Sequence, residues 1–261
     1  MKGKVYLVGA GPGDPELLTL KAFRLLGSAG VVLHDDLVTP AILELASPAA
    51  QILNVGKRCG RRGFSQEQIS DLTISYANDG YTVVRLQGGD PLIFGRAGEE
   101  IAALRKADVD FEIVPGVTSA LGAAATAKVS LTERRVASSV IFTTGHRCDR
   151  NSTTAWPVVT APGAEFRPTV VVYMPTDYAS IAKELQGAGW ERETPCLLVS
   201  SAGTPQETNF LTLLSALPDA PQLSSPRLLI IGAVVKTASV GQTLAAEKLH
   251  AAPALCRSVS W

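Results

Sequence analysis

The sequence lacks the features that would mark a membrane protein, a secreted protein or a general nucleic-acid binder. Its longest clean apolar run, residues 228–235, is too short to span a bilayer. Basic and acidic residues balance at 24 each, without the basic excess expected of a nucleic-acid binder. The N-terminus has two lysines but no adequate apolar segment before glycine and proline interrupt it, so it predicts a first strand rather than a signal peptide. We therefore expect a cytosolic protein.

Cysteine and histidine are scarce, and their spacing predicts no metal site. The cysteines form no CxxC pair, so neither a zinc site nor a disulfide framework is indicated, and buried or idle thiols are the better interpretation. The histidines show no metal-ligand spacing and are better interpreted as polar contacts or surface residues. These residues are Cys59, Cys148, Cys196, Cys256, His34, His146 and His250.

What the sequence does contain is a repeated pattern of short apolar runs, each followed by a loop and then a helical segment. The runs are rich in β-branched residues, as expected of buried strands. Five such units by about residue 115 predict a parallel, doubly wound sheet. The predicted strands are Val5–Val8, Val31–Leu33, Ile52–Val55, Val83–Leu86 and Phe111–Val114.

The stretch from Val83 to Glu100 has the most informative of these loops. Gly88, Gly89 and Asp90 follow the strand directly, and acidic residues open the next helix. Adjacent glycines allow a ligand to approach the main chain closely, and ligands of open α/β sheets bind at the carboxyl ends of strands. A tight turn explains the same residues, and both interpretations remain open.

The loop Gly9–Pro15 resembles a dinucleotide-binding fingerprint only superficially. Two prolines fall where the phosphate-binding helix should begin, and proline lacks the N–H that would bind phosphate. The pattern therefore argues against a dinucleotide site. A helix is predicted from about Pro15 to Ser28.

Two further segments carry charge at strand ends. Residues 56–63 hold four cations and three glycines, which predicts either a solvated basic loop or an anion-binding loop. Asp35 follows the second strand and is interpreted as a helix cap, a turn acid or a functional carboxylate. Ser65 and Gln68 predict a capping box at the start of the next helix.

Several loops together resemble one family. VYLVGAGPGDPELLT, VVLHDDLV, GKRCG, LQGGDPLIFGRAGEE, VPGVTSALG and TTGH occur in the order, and roughly the spacing, of the uroporphyrinogen-III C-methyltransferases. These are class III, tetrapyrrole-type methyltransferases. The resemblance is dense over residues 4–146 and thinner afterwards.

The resemblance implies two α/β domains, with a mostly parallel N-terminal sheet, a mixed C-terminal sheet and the active site in the cleft between them. We expect the domains at 1–117 and 118–240, followed by a variable tail at 241–261. The resemblance also implies a homodimer that uses S-adenosylmethionine to methylate uroporphyrinogen III at C2 and C7. The product would be precorrin-2, which leads to sirohaem, cobalamin or haem d1.

The resemblance also implies site residues. Asp35 would be the proton acceptor and Lys57 the proton donor. Because the substrate carries eight carboxylates, basic residues should line its site; these are Arg58, Arg61, Arg62, Arg134 and Arg135. The residues expected to contact the cofactor are Pro12, Gly88, Gly89, Asp90, Ile93, Thr118, Ser119, Met174 and Gly203.

Three departures from the family pattern concern the substrate side. Glu133 stands where histidine is expected, Pro175 stands where glycine is more usual, and residues 147–168 follow the pattern poorly. Two alternatives therefore remain. One is a precorrin methyltransferase acting later on the corrin path, and the other is a tetrapyrrole- or S-adenosylmethionine-binding protein without turnover.

Overall fold

Ten strands and six α-helices are formed by the residues that the computed structural model describes, namely 2–56, 63–145 and 167–239. Of these residues, those up to 126 together with 201–207 form one compact unit, and the others form a second. The predicted domain limits at 117 and 240 stay a prediction, and the predicted tail lies outside the described residues. No described helix is both long and apolar enough to cross a bilayer.

The first unit contains a five-stranded sheet in the order β3-β2-β4-β1-β5, with every neighbouring pair parallel. This confirms the predicted parallel sheet. In chain order the elements are β1 Val5–Gly9, α1 Leu20–Ser28, β2 Val31–His34, α2 Pro40–Leu43, β3 Gln51–Asn54, α3 Gln66–Asn78, β4 Val83–Gln87, α4 Ala97–Lys106, β5 Phe111–Val114 and α5 Ser119–Thr126.

The sheet is covered on both faces, which explains why its central strands are apolar without alternation. One buried cluster joins it to α1 and α2 through Val8, Val32, Val84, Leu86, Ala22, Leu26 and Ile42. The other joins it to α3 and α4 through Leu7, Val31, Leu33, Val83, Ile69, Ala77 and Leu104. Burial of these side chains fixes the strand ends, and therefore the loops that follow them, at one edge of the sheet.

Helix starts follow their local capping residues. The predicted helix from Pro15 to Ser28 is divided into a 3-10 turn at Pro15–Leu17 and α1, which begins at Leu20. The division arises because Leu18 is extended and the Thr19 side chain accepts a hydrogen bond from the Ala22 N–H, which caps a new helix. The predicted capping box of α3 is confirmed, with both Ser65–Gln68 hydrogen bonds present.

The second unit contains a mixed five-stranded sheet in the order β6-β7-β10-β8-β9. Only β6 and β7 are parallel, and the other neighbours are antiparallel. Its elements are β6 Val140–Thr144, β7 Thr169–Tyr173, α6 Tyr178–Gly187, β8 Pro195–Ser200, β9 Thr208–Leu213 and β10 Arg227–Ile231. Buried side chains of α6, including Ile181 and Leu185, pack on this sheet against Leu198 and Leu229.

Candidate functional site

The loops that follow β1, β2, β4 and β5 of the first sheet are hydrogen-bonded to one another. Gly11, after β1, and Gly89, after β4, form an antiparallel bridge. The Gly11 N–H donates to the Gly89 carbonyl at 3.1 Å, and the Gly89 N–H donates to the Gly11 carbonyl at 2.7 Å. The glycine-rich loop is therefore fixed to the first loop of the chain rather than projecting freely.

Close backbone packing explains why glycines are needed where these loops meet. A Cβ on Gly116, after β5, would lie 2.3 Å from the Gly89 carbonyl oxygen. A Cβ on Gly9 would lie 2.5 Å from the Gly116 nitrogen. Gly9 and Gly116 were not predicted as site residues, and the only sequence signal for them was their place in strand-end loops.

Asp35 lies directly after β2 and uses both carboxylate oxygens. Oδ1 accepts the N–H of Leu37 at 2.9 Å, and Oδ2 accepts the N–H of Gly88 at 3.1 Å. The side chain is half-buried. Asp35 is thus a turn acid that also holds the glycine-rich loop, and each oxygen keeps a second lone pair for a further donor.

Asp90, in the loop after β4, has the same arrangement of hydrogen bonds as Asp35. Its Oδ1 accepts the N–H of Leu92 at 2.7 Å, and its Oδ2 accepts the N–H of Gly116 at 3.0 Å. Ile93 continues the same turn, because its N–H donates to the Asp90 carbonyl at 3.1 Å. The carboxylate therefore joins the loop after β4 to the loop after β5.

Gly89 faces the start of α5. Its φ is +70°, and a Cβ there would stand 3.6 Å from the Ser119 nitrogen and 3.9 Å from the Thr118 Cα. Gly88 is crowded instead, since a Cβ there would lie 2.6 Å from the Cβ of Leu37. Four predicted cofactor residues, Gly88, Gly89, Thr118 and Ser119, are therefore brought together.

Pro12 packs near both Gly122 of α5 and Gly203. A Cβ on Gly122 would lie 2.7 Å from the Pro12 Cβ, and a Cβ on Gly203 would lie 3.2 Å from the Pro12 Cγ. The Gly203 N–H donates to the Glu207 carboxylate at 2.7 Å. Pro12 and Gly203 thus form a second group, which is linked to the first because Pro12 follows the Gly11–Gly89 bridge.

A cavity of about 830 Å³ lies within the first unit, at the end of α5 away from Gly89. Among the described residues, Gly203 is the one predicted cofactor residue that lines it, and the charged lining residues are Asp14 and Glu207, with no lysine or arginine. Acidic walls repel carboxylates. This cavity is therefore unsuited to bind the carboxylate groups of the expected substrate.

Polar side chains on one face of β4 support the glycine-rich loop from inside the unit. Arg85 Nε donates to Glu100 Oε1 at 3.1 Å, and both side chains are about 95% buried. The same oxygen accepts from Gln66 Nε2 at 2.7 Å, at the first residue of α3. Gln87 Nε2 donates to the Gly95 carbonyl at 2.8 Å. The Gln87 side chain therefore holds the end of the glycine-rich loop, just before α4 begins.

The second unit carries three predicted site residues. Met174 follows β7 with a φ of +51°, is 46% exposed and donates its N–H to the Arg227 carbonyl at 3.3 Å. Arg134 and Arg135 are exposed in a tight turn between Glu133 and Ala137, whose backbones hydrogen-bond to each other. Both guanidinium groups can therefore reach a ligand from solvent.

Four predicted residues, Lys57, Arg58, Arg61 and Arg62, lie outside the described residues. Among 2–56, 63–145 and 167–239, no group of three histidine, cysteine, aspartate or glutamate side chains could hold a metal ion.

Comparison with known proteins identifies the family. The tetrapyrrole (corrin/porphyrin) methylases match residues 4–218. A siroheme synthase from Azotobacter vinelandii is 45% identical over 238 residues, which are 90% of this chain and 50% of that protein. The chain thus spans about half the length of the curated relatives it matches.

Two solved structures are also similar. The uroporphyrin-III C-methyltransferase of Thermus thermophilus, complexed with S-adenosylhomocysteine, is 40% identical with a TM-score of 0.76, covering 90% of this chain and 99% of that one. A cobalt precorrin-4 methyltransferase of cobalamin biosynthesis is 31% identical with a TM-score of 0.78, covering 89% and 95%. The first sheet with its strand-end loops and strands β6 to β9 lie within the matched residues, and the chain belongs to the tetrapyrrole methylases.

Proposed function

We propose that this chain methylates uroporphyrinogen III at C2 and C7 with S-adenosylmethionine, giving precorrin-2 for the sirohaem, cobalamin or haem d1 branch. The observation that carries the proposal is the 40% identity to the Thermus thermophilus enzyme over 99% of its length. The cobalt precorrin-4 enzyme has a similar TM-score but lower identity, so sequence rather than fold favours the earlier substrate. The proposal covers methyl transfer alone, since the siroheme synthases extend well beyond the matched half.

The residues around Gly89 fit the proposed cofactor. A Cβ at Gly89 would occupy the space beside the Ser119 nitrogen, so glycine leaves the start of α5 open to a ligand. Bound there, the cofactor would supply a methyl group on a sulfonium centre, to be accepted by an electron-rich pyrrole carbon. The chain's contribution is to hold both partners close and oriented, which supplies much of the rate in such transfers.

Proton handling and substrate binding are assigned to other residues. We assign Asp35 as proton acceptor because it lies at the same sheet edge as Gly88 and is half-buried. Lys57 is the proposed proton donor, and Arg58, Arg61, Arg62, Arg134 and Arg135 are proposed to bind substrate carboxylates. Met174 and Gly203 are proposed to complete the cofactor site.

We also propose a cytoplasmic homodimer. A dimer interface would cover exposed apolar side chains, which in the first unit include Leu20 at 73% and Leu121 at 51% exposure. Light scattering on the purified protein should give a mass near twice 27.4 kDa. A mass of one chain at micromolar concentration would contradict the dimer.

The activity is tested by incubating the protein with S-adenosylmethionine and uroporphyrinogen III under anaerobic conditions. The expected result is the absorbance of precorrin-2, with two S-adenosylhomocysteine molecules formed per tetrapyrrole. Turnover of a later precorrin in place of uroporphyrinogen III would identify the first alternative. Binding of S-adenosylhomocysteine without turnover of either tetrapyrrole would identify a binding protein.

A further inference from the structure

We propose that Asp35 and Asp90 are positioning residues that clamp the glycine-rich loop from its two sides and so set its affinity for the cofactor. This inference rests on the proposed function for the identity of the ligand. The clamp itself rests on hydrogen bonds within the first unit.

The two aspartates are built alike. Each uses one oxygen to accept the N–H two residues ahead, Leu37 for Asp35 and Leu92 for Asp90. This local turn fixes the carboxylate relative to its own loop. The second oxygen reaches the loop after another strand and accepts the backbone N–H of a glycine, which is Gly88 for Asp35 and Gly116 for Asp90.

The contacts run across the sheet edge in the order of the strands. Asp35 joins the loop after β2 to Gly88, after β4. Gly89 pairs with Gly11, after β1. Asp90 then joins the β4 loop to Gly116, after β5. Four neighbouring strand-end loops are thereby tied into one layer, with the glycine-rich loop at its centre.

Both ties join a carboxylate oxygen to a backbone N–H, at 3.1 Å for Asp35 and 3.0 Å for Asp90. Gly88 is held by the Asp35 side chain and Asp90 by its own side chain, on either side of the backbone pairing of Gly89 with Gly11. Gly89 between them keeps a φ of +70° and lies opposite the Ser119 nitrogen. Loss of either tie would leave the Gly11–Gly89 bridge in place but remove the support on one side of it, so that a ligand would have to order that side on binding.

An Asp-to-Asn change tests the clamp while preserving shape. The amide keeps one accepting oxygen but replaces the other with a donor, so one of the two contacts is lost. Asp35→Ser and Asp90→Ser provide a second pair, since serine keeps the local turn but is too short for the neighbouring loop. Asp71→Asn, on the exposed surface of α3, is the matched control.

Binding of S-adenosylhomocysteine is measured by calorimetry on the full chain, without tetrapyrrole. We expect about tenfold weaker binding for each Asn and Ser variant at 35 and 90, and unchanged binding for Asp71→Asn. Hydrogen exchange should accelerate at the Gly88 amide in Asp35→Ser and at the Gly116 amide in Asp90→Ser, because serine cannot reach the neighbouring loop. A group acting only in proton transfer or only in overall stability would not give this site-specific pattern.

Unchanged affinity in the Asn and Ser variants, or unchanged exchange at both glycines, overturns the clamp. Lack of S-adenosylhomocysteine binding by the unmodified protein would instead contradict the proposed function, and the exchange measurement would still decide the clamp.

Discussion

Replacing Gly89 with alanine adds one methyl group at the point where the strand-end loops face α5. The φ of +70° is unfavourable for any residue with a Cβ, which costs about 1–2 kcal/mol. The nearest atoms are 3.6 Å and 3.9 Å away, so no clash adds to that cost. For a chain of this size the melting temperature should fall by about 2–8 °C, and the protein should stay folded.

The same methyl group should weaken cofactor binding far more than its stability cost suggests. It would fill the space beside the Ser119 nitrogen that the glycine leaves open. We expect S-adenosylhomocysteine affinity to fall at least about tenfold, or 1.4 kcal/mol, and Gly89→Val to abolish binding. Calorimetry measures the affinity, and circular dichroism confirms the fold.

Gly98→Ala is the matched control because Gly98 lies in α4, and apart from its chain neighbours and the backbone of its own helix no atom lies within 4 Å of its Cβ position. Alanine should stabilise that helix by about 1 kcal/mol and leave the affinity unchanged. Gly89→Ala with full affinity would show that the loop is only a turn, and the cofactor assignment at this edge would be wrong.

Three further changes test other parts of the structure. Glu100→Ala should lower the free energy of unfolding by about 3–5 kcal/mol in a denaturant titration, because it leaves the buried Arg85 without its carboxylate partner. The control is Glu99→Ala, which removes an exposed ion pair and should cost less than about 1 kcal/mol in the same titration. Burial raises the pKa of the Cys196 thiol, so peptide mapping at pH 8 should find it alkylated only after unfolding, and labelling of the native protein would contradict its burial. Arg134→Ala should raise KM for uroporphyrinogen III about two- to fivefold and flatten the rise of KM with salt. The control is Arg105→Ala, at an exposed arginine in the last turn of α4, and an equal effect of the two changes would remove the Arg134 turn from the substrate site.

The parallel sheet could be predicted because its central strands are buried on both faces and read as continuous apolar runs. The capping box at Ser65 could be predicted because both of its hydrogen bonds form within four residues. The divided helix after β1 could not, since Pro15 and Thr19 each give a valid start signal and only the backbone at Leu18 decides between one helix and two.

The assignment of residues 201–207 to the first unit was also beyond the sequence. This segment follows β8 of the second unit and has no periodicity of its own. Its place is decided by contacts such as that between Gly203 and Pro12, which are 191 positions apart. Such a contact depends on the order of the strands in the sheets, and it cannot be predicted from composition or local sequence pattern.

The role of Asp35 likewise depends on a contact between residues far apart in the sequence, which local pattern could not predict. From the sequence it was a helix cap, a turn acid or a functional carboxylate. The helix cap is wrong because the N-cap residue of α2 is Thr39, and the hydrogen bond from the Leu37 N–H to Asp35 fits the turn. The bond to the Gly88 N–H spans 53 positions and exists because β2 and β4 are neighbours in the sheet. A turn acid alone needs one oxygen, whereas this carboxylate uses its second oxygen on the loop proposed to bind the cofactor. Proton transfer and loop positioning are therefore compatible in one residue, and they separate experimentally because only the second changes the affinity for S-adenosylhomocysteine.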